Sequence, residues 1–98
     1  MNRYRFYVGL LDRAGTPADH TGAHTHLAAH FGGYLALEGN GAWQPSDGPV
    51  LYEPSMVYEC IADGPHPAAS YAADLAQLCN QTCVLWTAER IEGGFANA

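Results

Sequence analysis

Tyr34–Ile61 reads YLALEGNGAWQPSDGPVLYEPSMVYECI, and the folding of this stretch decides the architecture of the chain. Two runs rich in aromatic and branched residues flank Pro45-Ser46-Asp47-Gly48-Pro49, the clearest turn composition present. Strand, turn and strand in immediate succession predict an antiparallel hairpin. Gly39-Asn40-Gly41 predicts a bend or bulge in the first arm, with Ala42-Trp43-Gln44 continuing it. The second arm, Val50–Ile61, contains Pro54, which has no N–H to give a ladder. That predicts an edge position or a bulge near residue 54.

Helical signals lie on both sides of the hairpin. Upstream, Thr16-Pro17-Ala18-Asp19 has a capping hydroxyl, a proline at the first helical position and an acid in the first turn. The expected helix runs to Phe31 and stops at Gly32-Gly33. One side of it carries His20, Ala23, His24, Leu27 and Phe31, a weakly apolar set. Downstream, Pro67–Asn80 places Ala68, Tyr71, Ala72, Leu75, Leu78 and Cys79 on one stripe. Strands are expected at Tyr4–Leu11 and Thr82–Ala88.

The order is therefore βαββαβ. The expected fold is α+β and ferredoxin-like, one domain over 1–98, an antiparallel sheet with two helices on one face and the other face open. A helix laid over a simple antiparallel sheet is the alternative. The ferredoxin-like order puts the first and third strands in the centre, which conflicts with Pro54 unless a bulge lifts it off the ladder.

Charge and composition exclude several roles. The chain is 48% hydrophobic and 14% charged, with four arginines, no lysine, ten acids and a net charge of −6. Nucleic-acid backbones need clustered cations, so no nucleic-acid partner is expected. No run of 18 apolar residues occurs, so no membrane span is expected. The N-terminus has no basic-then-apolar leader pattern. Cys60, Cys79 and Cys83 are an odd set that cannot pair fully, which argues for reduced thiols and a cytoplasmic setting. Gly39-Asn40-Gly41 opens no helix and no G-x-S-x-G elbow is present, so nucleotide-loop and hydrolase readings fall away.

The histidines are the oddity. His20, His24, His26 and His30 fall within eleven residues, and His20/His24 and His26/His30 are each one helical turn apart. That spacing lets two imidazoles meet one zinc, nickel or copper ion. Neither pair encloses a glutamate, and the pairs diverge around the helix axis, so one helix does not bring all four to one ion. Packing or surface roles are the first expectation. A metal site of His20, His24, His26 and His30 is the second, and proton transfer the third. No cofactor is expected outside that metal reading.

Along the third strand, Tyr52, Pro54, Met56 and Tyr58 share one face, and Leu51, Glu53, Ser55, Val57 and Glu59 the other. The turn brings Trp43 close to Glu53 and Tyr52. A ring, a carboxylate and a hydroxyl in one neighbourhood suit a small polar ligand or a partner side chain. Trp43, Tyr52, Glu53 and Tyr58 are thus the expected contact residues, and His24 (or His20) with Glu53 the candidate catalytic pair.

Gly41, Trp43, Gly48, Glu53, Ser55 and Gln81 carry a resemblance. This "G-x-W…G…E-x-S" hairpin with a late glutamine resembles a small bacterial and phage-associated family of compact α+β domains. That family carries no established chemistry, so the resemblance implies fold only.

The first functional expectation is a small acidic, non-enzymatic binding module, phage-associated, contacting a host protein with a basic surface or a small polar ligand. The alternatives are a small dimeric ferredoxin-like enzyme using His and Glu for proton transfer, and a His-rich metal-binding protein. A homodimer is expected, because so short a chain has much surface to hide and little core.

Overall fold

The computed structural model describes residues 1–98, except that the side chain of Trp43 lies outside the described residues. The element order is β1 (Asn2–Gly9), α1 (Thr21–Phe31), β2 (Leu35–Trp43), β3 (Leu51–Ala62), α2 (Ala68–Leu78) and β4 (Leu85–Arg90). The sheet runs β2-β3-β1-β4, with every neighbouring pair antiparallel. This is the ferredoxin-like arrangement, with β1 and β3 central.

Alternation along β1 sets the layers. Tyr4, Phe6 and Val8 are buried, while Arg3, Arg5 and Tyr7 between them are only half-buried. Opposite β1, Tyr58 and Cys60 of β3 face the same way and are fully buried. Ala23 and Leu27 of α1, and Ala68, Ala72, Leu75 and Cys79 from α2 and its cap, close this core. Each large apolar side chain removed from water here contributes about 1.5–3 kcal/mol.

Pro54 fits in a central strand without a bulge. The β1 ladder ends at the pair Gly9↔Ser55, one residue before Pro54. The Pro54 carbonyl accepts from Leu10 N at 2.9 Å, so that side of Pro54 faces the end of β1. In an extended residue the nitrogen and the carbonyl point to the same side. The missing N–H therefore falls where β1 is leaving the sheet, and the β2–β3 ladder is continuous from Leu35↔Glu59 to Trp43↔Leu51. The bulge expected at Gly39-Asn40-Gly41 is absent for the same reason: the register does not slip.

Helix α1 begins four residues later than the cap signature at Thr16 implies: its cap is His20 and its first residue Thr21. Asp12 captures that threonine: its carboxylate accepts from Ala14 N, Thr16 N and Thr16 Oγ1 at 2.9, 3.1 and 2.8 Å. This turn holds the Asp12 carboxyl below the usual range, chiefly through the Thr16 hydroxyl. The chain then forms an isolated bridge, Leu11↔Pro17, before the helix starts. Gly32, at φ 76°, ends α1 in the left-handed conformation and its N–H returns to Ala28 O.

Candidate functional site: a cleft on the bare face of the sheet

The face opposite the helices carries a cleft of about 490 Å³, lined among others by Tyr7, Gly39, Gly41, Glu53, Ser55 and Leu85. Gly39 and Gly41 lack side chains, so β2 is low here and the floor is open. Glu53 is half-buried, and its carboxylate has no ion-pair or hydrogen-bond partner among the described residues. It is the one carboxylate among the lining residues.

Glycine at position 9 is what makes room for it. A Cβ there would overlap Glu53 Oε1 and lie 2.6 Å from Gln81 Oε1. Gln81 is buried, 6% exposed, and its amide nitrogen donates toward the carbonyls of Gly9, Leu11 and Cys79 at 3.2, 3.1 and 3.1 Å. With its nitrogen committed to three carbonyls, its oxygen is turned toward the Glu53 carboxylate. Two acceptor oxygens thus meet over the bare Cα of Gly9 with no protein donor between them among the described residues.

Farther along the same face lies a charge cluster. Arg3 pairs with Glu89 and with Glu59 (3.4 Å), and Arg5 with Glu59 at 3.6 Å. Both arginines are therefore engaged away from Glu53. Leu35, Leu37 and Leu85 are more than half exposed on this face.

The histidines all stand on the helix side. His20 places Nδ1 2.5 Å from the Tyr58 hydroxyl and Nε2 2.8 Å from Gly9 O. His24 Nε2 is 3.2 Å from the same hydroxyl. His26 instead donates to Asp74 at 2.9 Å, and His30 stacks on His26 and Tyr71 with centroids 4.4 and 4.5 Å apart. The four-histidine metal site therefore does not form: the pairs go to different neighbours. Among the described residues no group of three or more His, Cys, Asp or Glu side chains gathers as an ion requires.

His24 and Glu53 are not a pair either, because the sheet stands between them. Tyr58 is fully buried under the helices and offers no contact surface; burial pushes its hydroxyl far above the ordinary range. Tyr52 is 81% exposed but alternates away from Glu53. The side chain of Trp43, expected among the contact residues, lies outside the described residues. Of the residues carrying the family resemblance, Gly41, Glu53 and Ser55 line the cleft and Gln81 abuts it. Gly9 was missed. Its signal was a glycine at the end of a strand otherwise dense in large side chains, which marks a close approach.

No protein-family model and no curated protein sequence matches this chain. Among solved structures, it is similar to a phage SAM lyase in complex with S-methyl-5'-thioadenosine. The TM-score is 0.68 at 14% identity, over 90% of this chain and 79% of that one. At this identity the likeness establishes the shared fold. Against the first functional expectation, a non-enzymatic binding module, stands the finding that a solved protein of this fold is a phage enzyme.

Proposed function

We propose that the chain is a small enzyme working in the bare-face cleft, with Glu53 as its charged, proton-accepting group. The observation that carries this reading is the acceptor pair over Gly9, an unpaired carboxylate beside a carboxamide oxygen that cannot turn away. Such a point accepts a cation or a strong hydrogen-bond donor. The ligand class follows from joining that chemistry to the fold's known company. A SAM lyase acts on a sulfonium, which is a cation, and the structure of that protein holds the thioether nucleoside. An S-adenosyl sulfonium is therefore the proposed substrate, and elimination the proposed reaction: Glu53 takes a proton from the carbon next to the one bonded to sulfur, that C–H electron pair becomes a C=C bond, and the C–S electron pair leaves with the neutral thioether. Phage association is part of the same reading.

A homodimer completes it. The bare face combines exposed Leu35, Leu37 and Leu85 with charges of both signs in Arg3, Arg5, Glu59 and Glu89. A second copy can oppose such a face without like-charge conflict, and would narrow the cleft and exclude water from it. Three free thiols, two of them buried, suit a reducing cytoplasmic setting.

The test is incubation of the protein with S-adenosylmethionine and chromatographic measurement of S-methyl-5'-thioadenosine released. Wild-type protein should release it, and Glu53→Gln should be slower by about 10²–10⁴-fold. Absence of release by well-folded wild-type protein, or an unchanged rate in the variant, contradicts the proposal.

A further inference from the structure

We propose that His20 is a positioning residue of the cleft, acting from the opposite side of the sheet through the backbone of Gly9. The inference rests on the reading of Glu53 given above and adds a residue with no access to the ligand. Gly9 is where the two sides meet. Its carbonyl accepts from His20 Nε2 at 2.8 Å and from Gln81 Nε2 at 3.2 Å, and its bare Cα lies under the Glu53 and Gln81 oxygens.

The hydrogen-bond roles follow from one fact: a carbonyl only accepts. His20 therefore carries its proton on Nε2, and its Nδ1 lone pair accepts the Tyr58 hydroxyl proton at 2.5 Å. The Tyr58 oxygen, its one O–H directed at His20, accepts from His24 Nε2 at 3.2 Å. Tyr58 is fully buried on central strand β3, so the chain hangs from a rigid point. Gly9, by contrast, is the last residue of β1, where the ladder ends. The two N–H groups of Gln81 serve three carbonyls, so its orientation follows the place of Gly9 O. Without His20, that carbonyl loses its shorter bond and is held by Gln81 alone. Displacement of a reacting group by about 1 Å costs about a hundredfold in rate.

His20→Gln and His20→Asn separate this role from simple packing. A glutamine nitrogen reproduces the Nε2 donor to Gly9. An asparagine oxygen instead reproduces the Nδ1 acceptor for Tyr58. Two readouts are taken: the ¹H–¹⁵N signals of the Gln81 side-chain amide, which need no activity, and kcat and KM for release of S-methyl-5'-thioadenosine. His20→Asn should move the Gln81 signals and lower kcat by about 10- to 100-fold, with KM changed less than about threefold. His20→Gln should leave the signals in place and kcat within about threefold of wild type. Equal losses in both variants, or wild-type behaviour of His20→Asn, overturn the proposal. Should wild-type protein not cleave the sulfonium, the enzyme reading fails while the Gln81 signals still decide this one. Should either variant not fold, the ring ¹⁵N shifts of wild-type His20 decide: protonation at Nε2 is expected, and protonation at Nδ1 overturns the assignment.

Discussion

The two faces of the sheet are built from alternate residues of the same strands, yet they differ in almost every physical respect. The helix-covered face takes Tyr4, Phe6 and Val8 from β1 and Tyr58 and Cys60 from β3, all buried. The bare face takes Arg3, Arg5 and Tyr7, then Glu53, Ser55, Val57 and Glu59, none of them fully buried. On the first face the most deeply buried hydroxyl is answered locally, Tyr58 lying between two imidazoles, although His26 Nδ1 nearby is buried without a partner among the described residues. On the second, Glu53 and Gln81 present acceptors to each other. Stability is concentrated on one side and unmet chemistry on the other. A one-residue step along a strand is enough to separate them, because its side chains repeat every two residues.

The largest effect expected from this contrast is in stability. Phe6→Ala should destabilise by about 3–5 kcal/mol, since the side chain is fully buried between sheet and helices. Leu37→Ala, on the bare face and 52% exposed, should stay within about 0.5 kcal/mol for the monomer. Urea unfolding of both variants makes the comparison. Similar losses would mean that the bare face is also core.

Gly9→Ala sharpens it from the cleft side. The new methyl displaces the Glu53 carboxylate, the far end of a flexible side chain that can swing away, and crowds the Gln81 oxygen, which the three bonds from its nitrogen hold in place. Turnover should fall about as far as in Glu53→Gln, while stability drops by only about 1–3 kcal/mol. Rates and urea midpoints measured on the same preparation check this. A large stability loss with retained turnover would show that Gly9 serves folding alone.

The thiols give a smaller contrast. Cys83 is exposed and lines the cleft, whereas Cys60 and Cys79 are buried. Burial pushes the Cys60 thiol up to about 12, with the Glu59 charge adding to it, and raises Cys79 as well. Alkylation under native conditions should therefore label Cys83 first, and the other two only on unfolding. The sign for stability follows from proton counts. Above pH 9, the ordinary value for a thiol, unfolded Cys60 releases its proton while the folded thiol keeps it. The unfolded state then binds fewer protons, so stability is fully present below pH 9 and declines between 9 and about 12. A pH series of urea midpoints reads this directly.

Much of this was legible in the sequence. Two turn-rich junctions and two helical stripes fix the order βαββαβ, and alternation sorts β3 into its two faces. What alternation cannot say is which face the helices cover. The tyrosines on one side of β3 suggest a contact surface, but helices packing on Tyr4, Phe6 and Val8 bury Tyr58 instead. Arg3 and Arg5 held the missing clue, because two charges on alternate positions of a central strand mark its open side. The start of α1 was misplaced because Asp12, four residues before Thr16, competes for the same hydroxyl. The histidine spacing was read correctly as two i, i+4 pairs. Where each pair points depends on Tyr58 and on Asp74, 38 and 48 residues away in sequence, and no local pattern supplies that.

The central claim is that ligand chemistry belongs to the bare face. It is tested most directly by titrating ¹⁵N-labelled protein with S-methyl-5'-thioadenosine and mapping the amide shifts. The account predicts changes centred on Tyr7, Gly41, Glu53, Ser55 and Leu85, reduced in Glu53→Gln. Changes centred on His26, His30 and Tyr71, or no changes at millimolar nucleoside, would contradict it.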